Sequence, residues 1–173
     1  MKKWLLILIL FLISGILILL VSGMVSKIEK ARQLSEKIRI MPDFSFQTID
    51  GAAFNSREIR SGPVLVIRFD PECEHCRYEI SELMNSPIPY SGTRIIMISS
   101  ANTDSVKKLL SIYDLPSKPF VTALADTSAL FGNIFGSDFI PSNYIYDKKL
   151  RLVRVLFGEV KTETIQKYLK QCE

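Results

Sequence analysis

Histidine is nearly absent from this sequence: His75 is the only one, and cysteine occurs three times, at Cys73, Cys76 and Cys172. Structural zinc needs four ligands. Beyond Cys73 and Cys76 the chain could add only His75, inside the same motif, and Cys172, near its end, so no metal site is expected. An excess of positive charge is also missing where it would matter. Residues 41–173 carry fifteen Lys/Arg against sixteen Asp/Glu, and the net charge of +4 comes from residues 1–40, with seven against two. A near-neutral domain has no electrostatic footprint for a polyanion, so no nucleic acid is expected as a partner. No repeat or low-complexity tract interrupts the sequence. No cysteine lies near the apolar N-terminus, which excludes lipid attachment through a cysteine there.

What is present begins with that N-terminus. Met1-Lys2-Lys3 precedes an apolar stretch from Trp4 to Val21, broken only by Ser14 and Gly15. A run of about 18 apolar residues approaches the length that spans a bilayer and is long for a signal peptide. Residues 1–22 are therefore expected to be an uncleaved membrane anchor; a signal peptide removed near Val21-Ser22-Gly23 is the alternative. Residues 23–40 read as a charged stalk, with Ile28, Ala31, Leu34 and Ile38 at helical spacing. Met41-Pro42 should end it, because the residue before proline is pushed out of the helical region. Lys27, Lys30, Arg32, Lys37 and Arg39 after the span argue for a cytoplasmic domain by the positive-inside rule. A short basic N-terminus before one long apolar run is the usual export signal. The expectation is an extracytoplasmic, periplasmic domain held by a single N-terminal pass.

Residues 41–173 have an ordinary size for one domain. Phe44 to Ile49, Asp50-Gly51, then Ala52 to Phe54 reads as a hairpin with a suitable turn. Val64 to Phe69 and Arg94 to Ser99 are apolar runs expected of central strands covered on both faces. Helices are expected over Arg77–Met84, Asp104–Tyr113 (capped by Thr103 or Asp104), Thr127–Ile134 and Thr162–Leu169. Tyr144–Tyr146 and Leu150–Phe157 pair as strands around Asp147-Lys148-Lys149. The sum is a three-layer α/β domain.

The chemistry concentrates in Cys73-Glu74-His75-Cys76, where a strand gives way to a helix. A cysteine on the first turn faces unsatisfied N–H groups and the positive end of the helix dipole. Both favour the thiolate, which is the nucleophile in disulfide exchange. Cys76, one turn on, is placed to resolve a mixed disulfide. A structural disulfide is the competing reading, weakened because a tight CxxC ring is strained and exchangeable.

Hairpin, apolar strand, CxxC, helix, then Ile140-Pro141 before a strand: this order resembles the thioredoxin fold. Pro42-Asp43-Phe44 and Asp50-Gly51 resemble its redoxin branch, the membrane-linked thiol-disulfide oxidoreductases of the TlpA and ResA type. The resemblance implies a Cys73/Cys76 dithiol–disulfide cycle without a cofactor, protein disulfides or thiols as substrates, and a membrane electron donor. It makes Pro141 the family's cis-proline, with Ile140 beside it holding a substrate strand. Several positions depart from the pattern. No tryptophan precedes Cys73, and Ile67 stands where thioredoxins bury an aspartate. Glu74 is then the expected proton acceptor for Cys76, against a reading as one of an exposed acidic rim with Asp70, Glu72 and Glu79. A cationic His75 would favour the Cys73 thiolate and a more oxidising pair, as in DsbA-like motifs, while the carboxylates oppose it. The direction of electron flow thus stays open on charge alone, and the resemblance favours a reductase. A thiol peroxidase of this fold has threonine where Asp70 stands. A Sco-type copper assembly factor needs CxxxC and a distant histidine, which this chain lacks. Cys172 is expected to be an idle thiol at a frayed terminus.

Overall fold

The computed structural model describes residues 2–60, 62–86 and 92–172. The chain divides into two units, residues 1–37 and 38–173. The first is one helix, α1 (Lys2–Lys37), which runs without a break from the segment read as anchor through most of that read as stalk. Its 36 residues extend about 54 Å at 1.5 Å per residue, against about 30 Å for a bilayer's hydrocarbon core. It contains a stretch long and apolar enough to cross a membrane.

The helix ends four residues before Met41. From Ile38 the chain belongs to the second unit: Ile38 and Met41 are buried there. The Leu152 N–H donates to the Arg39 carbonyl at 2.8 Å, and the Met41 N–H to that of Leu150 at 2.8 Å. Backbone pairing, rather than proline alone, takes this segment out of the helix.

In the second unit the strands are β1 (Ser45–Thr48), β2 (Ala53–Asn55), β3 (Val64–Arg68), β4 (Arg94–Ser99), β5 (Val121–Ala125), β6 (Ser142–Tyr146) and β7 (Leu152–Phe157). The helices are α2 (Glu74–Asn85), α3 (Thr103–Ile112), α4 (Phe131–Phe135) and α5 (Thr162–Lys170). One seven-stranded sheet has the order β2-β1-β5-β4-β3-β6-β7. β3, β4 and β5 are parallel, and the β1–β2 hairpin and the β6–β7 pair flank them in antiparallel pairing. The strand β5 was not expected from sequence. The cap of α3 is Asn102, whose side chain accepts from the Asp104 N–H, one residue before the expected caps. α4 begins four residues later than expected, because Asp126 accepts from the N–H groups of Leu130 and Phe131 and fixes its start there.

Side chains alternate across a sheet, and β3 shows it. Leu65 and Ile67 join Ile80 and Leu83 of α2, Leu109 of α3 and Ile165 of α5 in one core. The opposite face is aromatic: Phe131 and Phe135 of α4 pack on Tyr144, and Phe44 packs on Phe135. Helices thus cover both faces of the sheet, giving three layers.

Candidate active site

The site forms where β3 runs out. Asp70 turns the chain, its carboxylate accepting the Glu72 N–H at 2.8 Å and its carbonyl the Cys73 N–H at 3.1 Å. Cys73 is the N-cap of α2, and its sulfur accepts the Cys76 N–H at 3.4 Å. The two cysteines differ in environment. Cys73 is half-buried, whereas Cys76 faces the core and is fully buried. Burial, then the neighbouring Cys73 sulfur and the Glu79 carboxylate, push the Cys76 thiol up to about 12. Both are thiols in this structure.

The two residues between them point outward. Glu74 is exposed on the first turn of α2. His75 is also exposed, and its Nδ1 lies 2.6 Å from Glu159 Oε2. The buried carboxylate whose charge bears on Cys76 is Glu79, at 1% exposure. Glu79 is therefore no part of an exposed rim. Glu79 Oε1 accepts from Asn143 Nδ2 at 2.9 Å, and Oε2 accepts from the Val160 N–H at 2.7 Å. Burial holds its carboxyl above the usual carboxylate range, with Glu159 adding to the rise and the Asn143 and Val160 donors opposing it. Sequence reasoning passed over Glu79 as a site residue, although its spacing of three from Cys76 puts both on one helix face.

Just before Ser142, which pairs with Arg68 at the end of β3, the Ile140–Pro141 peptide bond is cis. Ile140 is partly exposed, as are Phe139 and Phe157, whose rings meet edge to face at 6.0 Å. The segment after β7 joins all parts of the site. The Gly158 N–H donates to the Pro141 carbonyl at 2.9 Å, Glu159 meets His75, and the Val160 N–H meets Glu79. Cys172 stands apart from this site and is buried in the core, its sulfur 3.2 Å from the Tyr168 carbonyl. It is a packed core residue rather than a frayed one. Among the described residues no group of three or more His, Cys, Asp or Glu could hold a metal ion.

This strand, CxxC helix and cis-proline arrangement decides the architecture. The fold is thioredoxin-like. No family model matches the chain. By sequence it is 25% identical over 143 residues to the thiol-disulfide oxidoreductase ResA of Bacillus thuringiensis (strain Al Hakam), covering 79% of this chain and 80% of that protein. Among solved structures it resembles a secreted disulfide oxidoreductase of Mycobacterium tuberculosis homologous to E. coli DsbE. There the TM-score is 0.66 at 16% identity, covering 79% of this chain and 98% of the other. A thiol:disulfide interchange protein of the thioredoxin family from Chlorobium tepidum TLS gives a TM-score of 0.65 at 21% identity, covering 77% and 94%. The curated relatives that this thioredoxin-like chain matches are thus named thiol-disulfide oxidoreductases.

Proposed function

We propose that this chain is a membrane-anchored, extracytoplasmic thiol-disulfide oxidoreductase that reduces protein disulfides. The observation that carries the reading is the unequal pair: a half-buried Cys73 capping α2, and a buried Cys76 beside a buried carboxylate. In the proposed cycle the Cys73 thiolate attacks a substrate disulfide. The substrate S–S bond breaks, one substrate thiolate leaves, and a mixed disulfide forms. Cys76 gives its proton to Glu79 and attacks the Cys73 sulfur, releasing the second substrate thiolate. The substrate gains two electrons and Cys73–Cys76 becomes the disulfide, which a membrane electron donor then reduces. Glu79 takes the role expected of Glu74, because burial beside Cys76 suits a proton acceptor and an exposed side chain does not. Ile140 and Pro141, with the exposed Phe139 and Phe157 rings, offer the surface on which a substrate segment would lie.

The assignment is tested by trapping. Cys76→Ser should accumulate disulfide-linked protein partners on Cys73, since attack remains and resolution is lost. Cys73→Ser should trap almost none, and equal trapping by both would overturn the order. Orientation is tested by fusing alkaline phosphatase to the C-terminus: activity supports export, and an inactive fusion overturns it.

A further inference from the structure

Among the described residues Glu79 has one side-chain partner, and that partner is only half used. Asn143 is fully buried on β6, two residues past Pro141. It stands directly across from Ile67 in the β3–β6 register, so the facing residue of β3 is apolar. Its Nδ2 donates to Glu79 Oε1 at 2.9 Å, while its Oδ1, equally buried, has no hydrogen-bond partner among the described residues. A buried carboxamide oxygen without a donor is rare in folded proteins and asks for an explanation.

The chemistry of Glu79 supplies one. An ionised carboxylate only accepts hydrogen bonds, whereas a protonated carboxyl must also donate one. A carboxamide has an end for each state: N–H for the carboxylate, oxygen for the acid. A half turn about the terminal bond of Asn143 exchanges the two ends. The second carboxyl oxygen stays on the Val160 N–H. We infer that Asn143 is a positioning residue whose side-chain amide turns over with the proton on Glu79, keeping that carboxyl in place before and after it takes the thiol proton. The inference rests on the proposed function only for the source of that proton.

The titratable groups around Glu79 come from two sides. Cys76 belongs to the first turn of α2, and Glu159, itself paired with His75, belongs to the segment after β7. Ile67 of β3 and Ile145 of β6 contribute no charge. Among the described residues the Asn143 amide is thus the only side chain donating to Glu79, and its loss should be visible in the titration of that carboxyl.

The test reads Glu79 directly, by carbon NMR of the labelled carboxyl assigned with Glu79→Gln. Asn143→Leu, close in volume, should move the Glu79 midpoint upward by about one pH unit or more, from the loss of a hydrogen bond to a charged acceptor. The pH dependence of Cys76 resolution should move with it. Asn143→Thr, whose hydroxyl both donates and accepts, should shift it less. In a Glu79→Gln background, Asn143→Leu should leave the pH profile unmoved. A folded Asn143→Leu protein with an unchanged Glu79 midpoint overturns the inference. The wild-type chain provides a reading free of folding effects: the Asn143 side-chain amide signals should titrate with the Glu79 midpoint, and not in Glu79→Gln. Amide signals that stay flat through the Glu79 titration also overturn it. Wild-type protein that fails to reduce disulfides would count against the functional reading, while the NMR titration would still decide the role of Asn143.

Discussion

At the scale of single residues, the environment of each sulfur separates their behaviour. With its thiol pushed up to about 12, Cys76 stays protonated at pH 7. Iodoacetamide at pH 7 should therefore label Cys73 and leave Cys76 and the buried Cys172 unmodified, which peptide mass mapping would check. Comparable labelling of Cys76 would contradict its burial. Glu79 offers a second prediction through linkage. Its folded carboxyl titrates above its unfolded value, mainly because it is buried. Between those two values the folded state holds more protons, so stability falls as pH rises through that window. Glu79→Gln removes this cost. The variant should melt a few degrees above wild type at pH 7, with the gain vanishing below about pH 4, where the carboxyl is protonated in both states. The same variant should resolve mixed disulfides more slowly, separating the stability of this site from its chemistry.

At the scale of elements, the sequence was legible wherever a local pattern carried the information. Residues 64–67 of β3 and 95–98 of β4 are uniformly apolar because both sheet faces are covered, and the Asp50-Gly51 turn is written in its residues, with Gly51 at φ 90°. β5 lacks such a signature. Val121-Thr122-Ala123-Leu124-Ala125 contains two alanines, and the strand is defined by partners distant in sequence, β4 on one side and β1 on the other. The site divides in the same way. Cys73, Cys76 and Pro141 are local motifs, whereas the Asn143–Glu79 contact joins residues 64 apart and no spacing rule announces it. α4 shows how a distant acceptor can set a boundary. Its first residues lack a side-chain cap of their own, and Asp126, buried, serves both Leu130 and Phe131. Asp126→Ala should cost about 1–3 kcal/mol by leaving those donors unpaired. Denaturant unfolding would measure it, and a loss below about 0.5 kcal/mol would mean that water replaces the carboxylate.

For the whole molecule, the unit boundary makes a prediction about where the chain can be cut. A fragment beginning at Ile38 should fold and retain the proposed disulfide reductase activity in solution without α1. A fragment beginning at Pro42 loses Ile38 and Met41, both buried, and the backbone bonds to Leu150 and Leu152. Burying each such side chain stabilises by about 1.5–3 kcal/mol, so the shorter fragment should be less stable by about 3–6 kcal/mol. Equal stability of the two would mean that residues 38–41 add nothing to the domain. The segment Gly158-Glu159-Val160 bears on the chain's history as well as its chemistry. Three consecutive residues reach the Pro141 carbonyl, His75 and Glu79, so one inserted or deleted residue would put all three out of phase together. Lineages that keep this site should gain and lose residues in the turn between β6 and β7 or around Asp50-Gly51, while the count between Phe157 and Thr162 stays fixed.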